Sequence, residues 1–277
     1  MDILKSLKEL PPILYKYRRF DDMSRSLDII RNGELWHTSV SKLNDPFDCA
    51  ILYTVDASML DMRKYIRESV KRHFPEANKQ ERRELVREAE RRTASPKWRE
   101  NVKREIQESR ENGFGICCLS APRDELLLWA HYADEHSGLC IGLSMEKLGL
   151  FQSRIVKNGE FIDLLKVEYS AEMPTINFID SMLTMGKSDE VWQEDIKTMI
   201  STKSIDWSYE QEYRLVYWGH PNELVPIGSD AIAKIILGCR CSDANQEKTL
   251  EVVPDGVPVY QAEKKERIFG LDFEQIQ

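Results

Sequence analysis

Glu210-Gln-Glu212, with Arg214 two residues further on, is the segment of this 277-residue chain whose residue types are best suited to chemistry. Side chains at i and i+2 of an extended strand share a face, so a strand over Tyr209–Trp218 aligns Glu210, Glu212 and Arg214. It turns Tyr209, Gln211, Tyr213 and Leu215 the other way, whereas a helix would splay the two carboxylates by about 200°. Neighbouring carboxylates push each other's pKa values apart, which suits acid–base work or the stabilisation of a developing cation, and Arg214 moderates the repulsion. The same spacing also serves as a charge ladder on a solvated strand face.

Two further constellations carry suitable side chains. Trp129-Ala-His-Tyr132 places an imidazole, His131, between two aromatic residues with polar tips, a set able to stack on a planar ligand. One helical turn separates His131 from Glu135, within pairing reach, although a core Trp and Tyr beside a hydrogen-bonded His fits the pattern equally. Asn44-Asp-Pro-Phe-Asp48 offers an amide and two carboxylates from one turn, suited to a ribose or a cation or to capping the turn itself. Ser39 and Ser120 become candidates only through position, each at the end of a predicted strand.

These residues need a scaffold. Strands are expected at Ile13–Arg18, Leu35–Ser39, Gly115–Ser120, Leu139–Ser144, Glu160–Tyr169, Tyr209–Trp218, Ala233–Gly238 and Val257–Gln261. A helix carrying Leu27, Ile29 and Ile30 ends at Asn32-Gly33; others cover Asp124–Ala133, Ser188–Thr202 and the stretch near Asn245–Leu250. Pro46 fixes a turn after Ser41. Residues 57–112 are polar, broken at Pro75 and Pro96 and otherwise helical in composition, so they read as exposed helices inserted between core strands. The order is that of an α+β fold, a single domain over 1–277 with a helical insertion at 57–112.

The net charge of −8 does not mark a dedicated nucleic-acid binder, yet residues 63–110 hold 16 Lys and Arg against 9 Glu. Such helices can meet phosphates of a nucleic acid, although the interleaved glutamates suit an ordinary exposed surface, and only Trp98 offers a base a platform. None of the six cysteines sits at Cys-x-x-Cys or zinc-ligand spacing, so no structural metal is expected and a reducing cytoplasm is. Met1–Pro12 reads as a short surface helix and not a secretion signal, and no apolar run approaches the roughly 20 residues of a membrane span. Phosphate-binding glycine loops and the Gly-x-Ser-x-Gly elbow are missing, which argues against kinase, Rossmann dehydrogenase and α/β-hydrolase chemistry.

Four motifs in order, Leu14-Tyr-Lys-Tyr-Arg18, Leu43-Asn-Asp-Pro-Phe-Asp48, Trp129-Ala-His-Tyr132 with Gly138, and Trp207-Ser-Tyr-Glu-Gln-Glu-Tyr-Arg214, make the chain resemble a bacterial and phage family known as domain of unknown function 2971. More distantly, the strand around Lys16, the helix ending at Gly33, the strand ending at Ser39 and the late Glu210-x-Glu212 resemble ADP-ribosyltransferases. That resemblance implies a compact mixed or antiparallel β core of two small sheets around a cleft, with NAD as substrate. It makes Glu212 the carboxylate that stabilises an oxocarbenium-like ribose and Glu210 the group that orients the acceptor. Lys16 or Arg18 would meet the pyrophosphate or the adenosine ribose, and Tyr132 or Trp129 would stack on a ring. Ser39, Asn44, Asp45, Ser120, His131 and Arg214 complete the implied cofactor-binding set. Two departures stand out: Lys16 replaces the expected Arg or His, and there is no Ser-Thr-Ser triplet.

The expected activity is therefore an NAD-dependent ADP-ribosyltransferase or NAD glycohydrolase, acting on a protein or nucleic-acid acceptor as a toxin or anti-phage defence effector. A metal-dependent nuclease or hydrolase using Asp45, Asp48, His131 and Glu212 is one alternative. A non-catalytic nucleotide-binding regulatory module is another.

Overall fold

The computed structural model describes residues 10–21, 25–149, 162–184 and 189–277. Most of the Met1–Pro12 helix expected from the sequence, and the first residues of the elements expected from Glu160 and Ser188, lie outside them. The chain divides into two compact units, one formed by Met1–Lys42, Gly113–Val167 and Ile205–Gln277, the other by Leu43–Asn112 and Glu168–Ser204.

An eight-stranded sheet dominates the first unit. In chain order its strands are β1 (Ile13–Arg18), β4 (Phe114–Ser120), β5 (Leu139–Ser144), β6 (Ile162–Lys166), β10 (Glu212–Trp218), β12 (Ile232–Leu237), β13 (Val259–Lys264) and β14 (Leu271–Gln275). Across the sheet they run β14-β13-β12-β5-β1-β4-β10-β6, antiparallel throughout except for the parallel pair β12 and β13. A short pair, β2 (Glu34–His37) with β11 (Glu223–Pro226), belongs to the same unit. Where two small sheets were expected, the described residues thus form one large sheet and three two-stranded pairs. The central strands read as near-continuous apolar runs because both of their faces are covered.

Helix α1 (Arg25–Asn32) places Leu27, Ile29 and Ile30 in a core with Leu14, Leu35, Ile141, Tyr213 and Leu215. It ends at Gly33, whose φ of +63° is the left-handed conformation that a C-cap needs. A second core holds Tyr15, Tyr17, Cys140 and Ile236 with Leu128 and Trp129 from the helix over 126–132 and Ala133 just after it. Tyr15 and Leu14 are neighbours on one strand, so the two cores occupy opposite faces of the sheet.

The second unit collects helices α2 (Met59–His73), α3 (Lys79–Thr93) and α4 (Pro96–Gly113), which fill the stretch read as a helical insertion. Ser58 caps α2 and Asn78 forms a reciprocal capping box with Glu81 on α3, which fixes where each helix starts. The pairs β3 (Leu52–Thr54) with β8 (Thr175–Asn177) and β7 (Glu168–Ser170) with β9 (Thr202–Ser204), together with α6 (Phe178–Thr184) and α7 (Asp189–Ser201), complete it. Ile66, Val70, Val102, Ile179, Met199 and Ile200 are buried here. Trp98 packs against Tyr65, 6.3 Å between ring centres, and Tyr65 packs in turn on Phe178. Arg63–Glu90 and Arg104–Glu108 pair on the exposed basic helices. No helix among the described residues is long and apolar enough to cross a membrane.

Candidate active site

Glu212 opens β10 and pairs in register with Ser120 at the end of β4, which pairs in turn with Tyr15 of β1. Partners in an antiparallel register share a face, so Tyr15, Ser120, Glu212 and Arg214 look out on the same side of the sheet. Arg214 and Glu212 are wholly buried, 0% and 1% exposed. Their contact is bidentate: Nε donates to Oε1 over 2.8 Å and an Nη to Oε2 over 3.1 Å. Two parallel N–H···O bonds are the strong geometry of a guanidinium–carboxylate pair, and they fix both side chains. The expected alignment of Glu212 with Arg214 is thus present, inside the protein and not on a solvated face.

Glu210 departs from the expected strand. Ile205–Glu210 is a short 3-10 helix, Gln211 takes a left-handed φ of +42°, and the strand starts only at Glu212. The correction has a local cause, since Asp206 and Ser208 are turn-forming residues and the i, i+2 alternation does not reach back through a residue with positive φ. Glu210 is nonetheless buried, 3% exposed, and its Oε1 accepts a hydrogen bond of 2.8 Å from the Tyr132 hydroxyl.

Helix α5 (Leu126–Tyr132) delivers that hydroxyl. Exposed His131 lies 6.3 Å from Trp207 and 6.5 Å from Tyr209, measured between ring centres, and the two aromatic rings are 6.0 Å apart. Tyr132, Trp207 and Tyr209 are all partly exposed, so the four rings form one cluster that meets the buried Glu210 carboxylate through the Tyr132 hydroxyl. Trp207 and Tyr209 lie within the Trp207–Arg214 motif but are not among the site residues expected from the sequence. The signal was their position directly before Glu210.

Several expected placements differ. Trp129 is fully buried, its Nε1 donates to the Arg123 carbonyl over 2.9 Å and its ring meets Tyr17 edge-on at 5.2 Å, so it is core and not a stacking platform. Lys16 and Arg18 alternate with Tyr15 and Tyr17 and therefore lie on the opposite face of the sheet from Glu212. Lys16 Nζ donates to the Cys118 carbonyl over 2.8 Å, and burial lowers the pKa of Arg18 from its ordinary value. Ser39 is buried beyond the end of β2, its Oγ 3.3 Å from that of Ser41. Glu135 pairs with Arg240 at 3.7 Å, not with His131, because the chain leaves helical geometry after Tyr132.

Asn44 and Asp45 belong to the second unit. Asp45 Oδ1 accepts the Phe47 N–H over 2.9 Å, the bond of a side-chain-capped turn, and buried Asp48 meets buried Lys203 at 3.6 Å. Among the described residues no group of three or more His, Cys, Asp or Glu is placed to hold a metal ion. All six cysteines are free thiols, with Cys49, Cys117 and Cys140 buried.

No curated protein and no solved structure matches the chain. Residues 128–215, from within α5 to the strand that carries Glu212 and Arg214, match the family model described as protein of unknown function (DUF2971), and that match supports the family placement drawn from the four motifs.

Proposed function

We propose that the first unit cleaves the N-glycosidic bond of NAD and passes the ADP-ribosyl group to a macromolecular acceptor or to water. The observation that carries this reading is a buried carboxylate, Glu210, held by the Tyr132 hydroxyl at 2.8 Å, where Tyr132 joins a cluster with exposed His131 and the partly exposed rings of Trp207 and Tyr209. Nicotinamide stacks on this cluster. As its bond to the ribose breaks, the electron pair leaves with the ring nitrogen and positive charge develops on the ribose. A carboxylate facing that charge in a water-poor setting stabilises it far better than bulk solvent would. The acceptor then adds to the ribosyl carbon and releases its proton.

In this reading the two carboxylates exchange the roles that the resemblance implied. Both oxygens of Glu212 are engaged by Arg214, so Glu212 acts as a positioning residue that anchors the start of β10. Glu210 is the carboxylate that faces the reacting ribose, and Tyr132 fixes its orientation.

Nicotinamide release from NAD, measured with purified protein and cell lysate as a source of acceptor, tests the reading. Glu210→Gln retains an acceptor for the Tyr132 hydroxyl and should lower release by at least about a hundredfold, the scale of losing one preorganised electrostatic group. Absence of release by folded wild-type protein, or equal release by folded Glu210→Gln, would refute it. Activity that disappears with a chelator would point to metal-dependent hydrolysis instead.

A further inference from the structure

Lys234, Gly142, Tyr15, Ser120 and Glu212 occupy one continuous register row across β12, β5, β1, β4 and β10. All five therefore face the same side of the sheet, and at about 4.8 Å per strand the row runs roughly 19 Å from the lysine to the glutamate. The end remote from Glu212 has the opposite chemistry. Lys234 Nζ stands 5.6 Å from the centre of the Tyr260 ring, and the Arg123 guanidinium lies 4.9 Å from the centre of Phe273. Phe273 pairs in register with Ala262, two residues from Tyr260 on β13, so both rings flank the row from the β13–β14 edge.

Two features set this cluster apart from an ordinary pair of surface cations. Among the described residues, neither Arg123 nor Lys234 forms an ion pair with a carboxylate; each stands over a ring, and Arg123 also meets the Tyr15 phenol. Cation–π contact positions a cation without cancelling its charge. Burial, followed by the charge of Arg123, lowers the pKa of Lys234, which is the mark of two partly desolvated cations that oppose one another. Second, the row leaves room for them. A Cβ at residue 142 would come within 2.8 Å of Lys234 Cγ and 3.2 Å of Tyr15 Cε1, so only glycine lets the lysine stem and the phenol ring lie across β5.

We propose that Arg123 and Lys234 form an anion subsite that takes the pyrophosphate of a nucleotide, with Tyr260 and Phe273 as its aromatic walls. A phosphate group supplies several charged acceptors to a guanidinium fork and an ammonium that have no carboxylate partner, and it relieves their mutual repulsion. The subsite stands on its own geometry and does not require bond cleavage at Glu210. It also takes over the role that the sequence suggested for Lys16 and Arg18, which lie on the other face.

Titration calorimetry of the full chain with inorganic pyrophosphate and with ADP, at fixed salt, tests it. Both probes should bind, and adenosine should not displace pyrophosphate. Arg123→Gln or Lys234→Gln should weaken binding at least about tenfold and the pair of changes about a hundredfold, whereas Lys234→Arg should retain it. Thermal unfolding verifies that each variant is folded, and if the double variant is not, Lys234→Gln alone decides, since that side chain is only partly buried. No binding of either probe at millimolar concentration, or unchanged affinity in a folded Gln variant, overturns the proposal. Pyrophosphate binding without nicotinamide release would keep the subsite and refute the cleavage reading, and nicotinamide release without binding of either probe would do the reverse.

Discussion

Removing the Arg214 guanidinium while leaving Glu212 in place is the sharpest test of how the site is built. Arg214→Met keeps a side chain of similar length but strands a carboxylate that is 1% exposed and that has lost both the 2.8 Å and the 3.1 Å bonds. Breaking a buried pair from one side costs about 3–5 kcal/mol, because the remaining charge loses its bidentate counter-charge in a place that water does not reach. At about 2–4 °C per kcal/mol for a unit of this size, the melting temperature should fall by roughly 6–20 °C. Glu212→Leu should cost a similar amount by removing the carboxylate that the buried guanidinium grips with two bonds. The double variant removes both charges at once and should cost well under the sum, with a coupling of at least about 2 kcal/mol. Urea unfolding at neutral pH, followed by tryptophan fluorescence, measures all four proteins, and an unchanged m value shows that stability alone has moved. A loss below about 1 kcal/mol in Arg214→Met, or additive single changes, would mean that the pair behaves like a solvent-screened surface bridge and would refute the burial argument.

His37 supplies a pH dependence. It is 0% exposed, its Nδ1 bonds to the Leu35 carbonyl at 3.1 Å, and its Nε2 has no hydrogen-bond partner among the described residues. Burial pushes its pKa from 6.5 down to about 4, with nearby Lys16 adding to the effect and the Leu35 bond opposing it. The unfolded chain therefore binds the proton first: stability should be full above pH 6.5 and fall by about 3 kcal/mol on the way down to pH 4. His37→Asn, which preserves a donor toward Leu35, should flatten that part of the stability–pH curve, and an identical slope in the variant would show that other groups cause it. Trp129→Phe should destabilise the protein by about 1–2 kcal/mol through its lost volume and its lost 2.9 Å bond to the Arg123 carbonyl; a direct effect on ring stacking would show instead as weaker NAD binding at unchanged stability.

The strands Ile13–Arg18 and Leu139–Ser144 were legible to the residue, and so was the end of α1 at Gly33, because a strand's composition and a helix's C-cap are local properties. The character of 57–112 was equally plain from its charge and its prolines. Strand β14 was not, since Leu271-Asp-Phe-Glu-Gln275 carries a mixed, largely polar pattern and is a strand through its pairing with β13.

For the candidate site, the sequence by itself marked Trp129–Tyr132 and Glu210–Arg214, and the fold brings these two segments together through the Tyr132–Glu210 bond. Alternation divides each strand into two sets of side chains but does not say which set faces which neighbour. That is decided by register, and register depends on pairing between residues far apart in sequence. Tertiary structure alone put Lys16 and Arg18 behind the sheet, set Arg123 and Lys234 on the face of Glu212, buried Trp129, and let the left-handed turn at Gln211 take Glu210 out of the strand.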